Sequence, residues 1–191
     1  MASSQLISLL LLIAGTGLCH ADCQPANPEV RSACDYAGLV VISWSQEITV
    51  NSSNCDLMTD KNEFRDQPEV RFPGADPDAY YTLLMIDPDV PFFKDGEYWL
   101  HWVVSNIPGH DLATGNLDAS TEMKCYQRPQ PPEGSGAHRY QFLVFRQNQV
   151  NVELSVPDSR QHFRLDKWLQ NQSQKEGLCE ISAGVQFRAP F

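Results

Sequence analysis

Two runs of this sequence, Trp99 to Asn106 (WLHWVVSN) and Arg139 to Gln147 (RYQFLVFRQ), carry large apolar side chains at both odd and even positions. Strand side chains alternate between faces, so a run apolar on both faces must be covered on both. Such strands belong in the middle of a layered β structure. Strict alternation would point Trp99, His101 and Val103 one way and Leu100, Trp102 and Val104 the other. In the second run it groups His138, Tyr140, Phe142 and Val144 against Arg139, Gln141, Leu143 and Phe145. Each strand thus carries a histidine near one end and continues as plain core. An unpaired polar group in such a place costs about 1 to 3 kcal/mol, so something must satisfy His101.

Other runs of strand character are Leu39 to Trp44, Glu47 to Val50, Glu69 to Phe72, Tyr80 to Ile86, Val150 to Leu154 and Val185 to Arg188, each bounded by Pro, Gly, Asn or Asp. The Gln/Asn scatter from Asn148 to Asn151 reads as a hairpin turn. One helix is expected from about Ser159 to Gln172, with Asp158 as N-cap and Leu165, Trp168, Leu169 and Gln172 on one side. Many short strands and little helix predict an all-β-dominated fold, an antiparallel β-sandwich with one or two small peripheral helices.

The 191 residues suit one domain. Residues 1–21 hold the uncharged run Leu9 to Ile13, too short to span a bilayer, and read as a secretory signal peptide. Residues 22–191 then form the single mature domain. Cleavage after Ala21 leaves Cys23, Cys34, Cys55, Cys125 and Cys179, whereas cleavage after Gly17 adds Cys19. Secretion makes two disulfides the expected use of these thiols, with connectivity open and one thiol left over in the first case. Asn51-Ser52-Ser53 and Asn171-Gln172-Ser173 are glycosylation sequons, which fit an extracellular or lysosomal destination. A net charge of −10 with scattered basic residues gives no footprint for nucleic acid. No transmembrane segment is expected.

The acidic turn DPDVP (Asp87 to Pro91), then WLHW (Trp99 to Trp102), then GSGAHRYQFLVF (Gly134 to Phe145) form a specific series in order and spacing. In these motifs the chain resembles the phosphatidylethanolamine-binding protein family, which includes Raf kinase inhibitor proteins and plant flowering regulators. Weaker likeness extends from about Val40 to Phe187, and the signal peptide points to the secreted animal branch. The resemblance implies a β-sandwich whose rim pocket holds a phosphate-type anion such as a phosphatidylethanolamine head group, without catalysis or cofactor. Carried over by position, Asp87, Asp89 and Pro91 form the acidic turn, while Trp99 and His101 line one wall. Tyr126, Pro131, Pro132, Gly134, Gly136, His138 and Tyr140 form the opposite wall and its loop.

That reading offers a partner set for His101, namely a shared rim with Asp87, Asp89 and His138. It also predicts tighter anion binding near about pH 5 than pH 8 through histidine protonation. Val90 stands where alanine is common in the family turn, and FFKDGEY is short, so the mouth is expected to be narrow and apolar. With no C-terminal helix after the last strand, the rim is expected to be open on that side. Two other classes compete. A hydrolase would use Ser135 as nucleophile, His138 as base and Asp87 as orienter, though no Gly-x-Ser-x-Gly elbow is present. A metal site would draw on Asp87, Asp89, His101 and His138. Serine protease inhibition is a further alternative that some relatives of the family suggest.

Overall fold

The computed structural model describes residues 30–173 and 177–191. The strands are β1 (Val40–Ile42), β2 (Thr49–Val50), β3 (Leu57–Met58), β4 (Glu69–Arg71), β5 (Tyr80–Asp87), β6 (Glu97–Pro108), β7 (Thr121–Lys124), β8 (His138–Gln147), β9 (Phe163–Arg164) and β10 (Leu178–Ala189). Two helices, α1 (Gly109–Thr114) and α2 (Leu165–Ser173), sit between them. The large sheet runs β3-β10-β8-β5-β6-β7, with β9 paired to β6, and a small sheet runs β2-β1-β4. Pairing is antiparallel except at one edge, where β3 lies parallel to β10. The architecture is a β-sandwich with small peripheral helices. Among the described residues no helix is long and apolar enough to cross a membrane.

The two doubly apolar runs are central strands because both faces of the large sheet are covered. On one face Leu83, Met85, Trp102, Phe142 and Phe187 pack against Leu39, Val41, Val50, Phe64 and Val70 of the small sheet and its connections. Phe64 stacks on Phe187 with ring centroids 4.0 Å apart. On the other face Leu84, Ile86, Leu100, Leu143 and Phe145 meet Phe163, Trp168 and Leu169 around α2. Each fully buried Leu, Ile or Phe contributes about 1.5 to 3 kcal/mol by leaving water. Cys34 and Cys55 form a disulfide that closes a 21-residue separation, which restricts the unfolded chain by about 3 kcal/mol in the chain-entropy model. Cys179 is also disulfide-bonded, and Cys125 is a free, exposed thiol. The expected signal peptide lies outside the described residues.

Strict alternation fails in β6. Ile86 faces Leu100 and Met85 faces Trp102, so His101 is an extra residue in the ladder, a β-bulge. As a result Trp102 and Val104 enter the core under the small sheet, while Leu100 and Val103 enter the opposite core. Val103 therefore does not share a face with His101, contrary to the alternation. A second shift sits between Tyr81 and Leu83, near Asn106, which adopts a left-handed φ of 57°. The Asn106 side chain then binds the backbone of Val152 from both sides, accepting from its N–H at 2.9 Å and donating to its carbonyl at 3.2 Å. This explains why Val150 to Leu154 forms no strand. Its buried backbone is satisfied by a side chain instead of a ladder.

The helix begins six residues later than its periodicity suggests. Phe163 and Arg164 pair with Tyr98 and Glu97 of β6, and His162 takes a φ of 54°, so tertiary pairing overrides the N-cap at Asp158. β10 runs well beyond the expected Val185 to Arg188, taking in the polar and small residues from Glu180 to Gly184 through irregular pairing with β8.

Candidate ligand-binding site

β5 lies between the two histidine strands, so its last residue, Asp87, stands between them at one end of the sheet. Asp87, Trp99, His101, His138 and Tyr140 line a cavity of about 250 Å³ there, together with Val90, Gln127, Arg128, Gln130 and Pro132. The turn organises itself first. The Asp89 N–H donates to Asp87 Oδ1 at 2.8 Å, a local side-chain turn that aims the other carboxylate oxygen at β8. Asp87 Oδ2 accepts from His138 Nδ1 at 2.7 Å, and both side chains are nearly inaccessible. His138 Nε2 lies 2.9 Å from Ser135 Oγ.

Asp89 turns away from the cavity. It takes a bidentate pair from Arg139, with Nε at 2.8 Å and Nη2 at 2.7 Å, and also accepts the Arg139 N–H at 2.8 Å. Burial would raise its pKa, but the Arg139 hydrogen bonds and charge overcome this and hold the carboxyl below its ordinary value. Asp89 thus clamps the start of β8 where Asp87 needs His138.

His101 is satisfied differently from the expected shared rim. Its Nδ1 donates to the Gln127 carbonyl at 2.7 Å, and the Gln127 N–H returns a bond to the His101 carbonyl at 3.0 Å. Gln127 Oε1 also accepts from Trp99 Nε1 at 3.1 Å. Burial depresses the His101 pKa to about 4, against the opposing pull of the Gln127 carbonyl and Asp87. Burial thus favours the neutral imidazole in the unliganded protein. From the loop before β9, Arg160 Nη1 donates to the carbonyls of Leu100 and His101 at 2.9 and 2.6 Å, which satisfies the bulge. Its Nη2 reaches the Cys125 carbonyl at 2.8 Å.

Tyr140 is fully buried beside His101, the two rings meeting edge to face at 5.3 Å. Among the described residues its hydroxyl finds no acceptor. Burial first, then the Asp87 charge, raise its pKa far above the ordinary phenol value, with the nearby Gln130 backbone opposing. Arg128 is exposed at the mouth. It also lines an adjoining groove with Lys61, Gln130, Pro131, Pro132 and Phe191, where Lys61 Nζ sits 3.8 Å over the Phe191 ring.

Of the residues expected from sequence, Asp87, Trp99, His101, Pro132, His138 and Tyr140 meet at the cavity, whereas Asp89, Pro91, Tyr126, Pro131, Gly134 and Gly136 are not among its lining. Tyr126 packs on Trp102 and donates its hydroxyl to the Phe64 carbonyl at 2.7 Å, so it braces the core. Gly134 and Gly136 are exposed, with φ of 78° and 86°, and shape the turn that delivers Ser135. Gln127, Arg128 and Gln130 escaped the sequence reading. Their one signal was position, just before Pro131 and Pro132 on a stiffened loop.

The Asp87, His138 and Ser135 side chains stand in the order of a hydrolytic triad. The Ser135 hydroxyl, however, donates to the Pro132 carbonyl at 2.6 Å. Its proton is committed to the loop rather than offered to the imidazole. Among the described residues no group of three or more His, Cys, Asp or Glu side chains is placed to hold a metal ion. Asp89 and His101 have turned to Arg139 and Gln127.

A family model described as "Phosphatidylethanolamine-binding protein" matches residues 45–181. The chain belongs to the phosphatidylethanolamine-binding protein family. Its relatives are diverse. The chain is 40% identical to TERMINAL FLOWER 1 of Arabidopsis thaliana over 107 residues, 53% of this chain and 55% of that protein. It is 38% identical to a 26 kDa secreted antigen of Toxocara canis over 110 residues, 56% of this chain and 38% of that protein. The chain thus spans about half the length of the curated relatives it matches. A phosphatidylethanolamine-binding protein from Plasmodium vivax shares the fold with a TM-score of 0.60 at 24% identity, over 81% of this chain and 86% of that one. Members of the phosphatidylethanolamine-binding protein family are characteristically non-enzymatic, and the commitment of the Ser135 proton to Pro132 is consistent with that.

Proposed function

We propose that this protein is a secreted binder of phosphate-bearing head groups, phosphoethanolamine among them, and that the cavity between β5, β6 and β8 is its site. The observation that carries the reading is the unpartnered hydroxyl of Tyr140 in that cavity. A buried O–H without an acceptor costs about 1 to 3 kcal/mol, and a phosphate oxygen would recover it. Arg128 at the mouth adds a positive charge for the anion. The Asp87 carboxylate, held rigid by His138, would repel a phosphate oxygen and suits the ammonium of ethanolamine.

Secretion, with glycosylation at Asn51 and Asn171, belongs to the same reading and places the protein in the secreted animal branch. The Cys34–Cys55 disulfide supports an oxidising compartment, and Asn171 is exposed on α2. A lysosomal destination would fit equally. Expression in animal cells followed by N-terminal sequencing of protein from the medium tests this part. A chain starting near Asp22 is expected, and an intact leader would overturn it. No observation in the site favours protease inhibition.

Native mass spectrometry with phosphoethanolamine tests the site. The wild type should hold one ligand, and Tyr140→Phe and His138→Ala should each weaken the adduct. If the wild type takes up no ligand, the reading is wrong.

A further inference from the structure

Among the described residues the inner wall of the cavity presents unpartnered polar atoms of opposite kind. The Tyr140 hydroxyl is a buried donor with nothing to donate to. His101 is the reverse case. Its Nδ1 faces the Gln127 carbonyl at 2.7 Å, and a carbonyl can only accept, so Nδ1 carries the hydrogen and Nε2 is left as a lone pair. No described residue donates to that lone pair. His138 Nε2 faces only the Ser135 hydroxyl, whose proton goes to Pro132, so it is a second lone pair on this wall, while Arg128 and Gln130 are exposed at the mouth, where water can solvate them. Asp87 binds His138 and the Asp89 N–H, and Trp99 Nε1 binds Gln127. A ligand completing this wall must bring an acceptor for Tyr140 and a donor for His101.

Resting on the phosphate-site reading, we propose that the cavity selects phosphate monoesters in their singly protonated form over phosphate diesters. The P–O–H donates to His101 Nε2, and an ionised oxygen of the same phosphate accepts from the Tyr140 hydroxyl. A diester has no P–O–H, so it leaves the Nε2 lone pair unpaired unless the imidazole itself is protonated. The surroundings resist that charge. His101 is 4% exposed, and besides burial the charges of Arg160 and His138 disfavour imidazolium, while the Gln127 carbonyl and Asp87 favour it less than burial opposes it. Tyr140 on β8 stays neutral, and Arg128 on the loop adds one more positive charge on the mouth side.

The pH dependence follows from the ligand. The second ionisation of a phosphate monoester falls near about pH 6, so the required form is lost above it. A site seeking negative charge alone would show the opposite trend, since the dianion carries more. The preference applies to a soluble monoester such as phosphoethanolamine and to a lipid monoester such as phosphatidate. It disfavours the intact phosphodiester of a phosphatidylethanolamine bilayer.

Titration of the wild-type protein with methyl phosphate and dimethyl phosphate, followed by 31P NMR, tests the inference with two ligands of nearly equal size. At pH 5.5 the monoester should bind roughly tenfold to a hundredfold more tightly than the diester. Its affinity should fall by about tenfold per pH unit above about pH 7, following loss of the monoanion, while diester binding stays weak and flat. His101→Gln can place an amide N–H at the same spot and should narrow the preference. Equal affinities for the two esters, or monoester binding that strengthens with pH, overturn the inference while leaving the phosphate site standing. Failure of both esters and of phosphoethanolamine to bind removes the site itself. Sedimentation with phosphatidate vesicles, against competition by phosphoethanolamine, separates the lipid source from the soluble one.

Discussion

His101 and Gln127 hold each other through two hydrogen bonds, Nδ1 to carbonyl at 2.7 Å and N–H to carbonyl at 3.0 Å. The pair fastens the Pro-rich loop to the bulge of β6, and it fixes the tautomer of a cavity histidine whose Nε2 has no described partner. The stability of the fold and the wall of the cavity therefore share a joint.

The first prediction concerns acid. His101 titrates near about 4 in the folded chain against about 6.5 when unfolded, so the unfolded state binds the extra proton first as pH falls. Stability from this residue is full above about pH 6.5, declines through the window down to about pH 4, and levels off below it. Denaturant unfolding between pH 7 and pH 4 should cost the wild type on the order of 3 kcal/mol more than it costs His101→Gln. Parallel pH profiles for the two proteins would refute the assignment.

Arg160 lowers the His101 pKa through its charge and fastens the bulge through two carbonyls. Arg160→Met removes both effects. The His101 midpoint, followed by NMR of its ring protons, should move upward, and phosphoethanolamine affinity should fall at least severalfold as the bulge loosens. A midpoint moving downward would mean that loosened packing, and not charge, governs this ring.

The clamp between Asp89 and Arg139 should also weaken toward acid, but at lower pH than His101. Its carboxyl is held below the ordinary value, so its contribution is present above the unfolded pKa near about 4 and disappears as pH drops through the folded one. Asp89→Asn should cost about 1 to 3 kcal/mol at pH 7, and much less at pH 2.5. Equal losses at both pH values would count against the ion pair.

Asn106 combines a left-handed backbone with bonds to Val152 and Gln147. Asn106→Gly keeps the backbone and loses the bonds, whereas Asn106→Ala loses both. Thermal melts should rank the wild type above Gly, and Gly above Ala, each step about 1 to 2 kcal/mol.

How far the sequence reached depended on how local each cause is. β8 was legible to within one residue because alternation from His138 to Phe145 is unbroken. The acidic turn was equally legible, since Pro and Asp announce it. The bulge at His101 was not, because WLHWVV reads the same with or without a slip in register, and only pairing with β5 reveals the extra residue. Arg160, Gln127 and Arg128 contribute through the path of their loops, which no periodicity encodes. For the same reason Asp89 could be placed in the turn but not assigned to Arg139.

The bulge also has a bearing on how such a site could arise. Removing His101 alone would leave Leu100, Trp102, Val103 and Val104 alternating correctly between the two cores, an ordinary strand in an ordinary sandwich. The histidine thus adds a polar group to the wall while the apolar side chains on either side of it keep their alternation. A deletion variant lacking residue 101 would therefore keep the apolar order of the strand while releasing the bonds to Gln127 and Arg160, and so separates what the sheet needs from what the loops need.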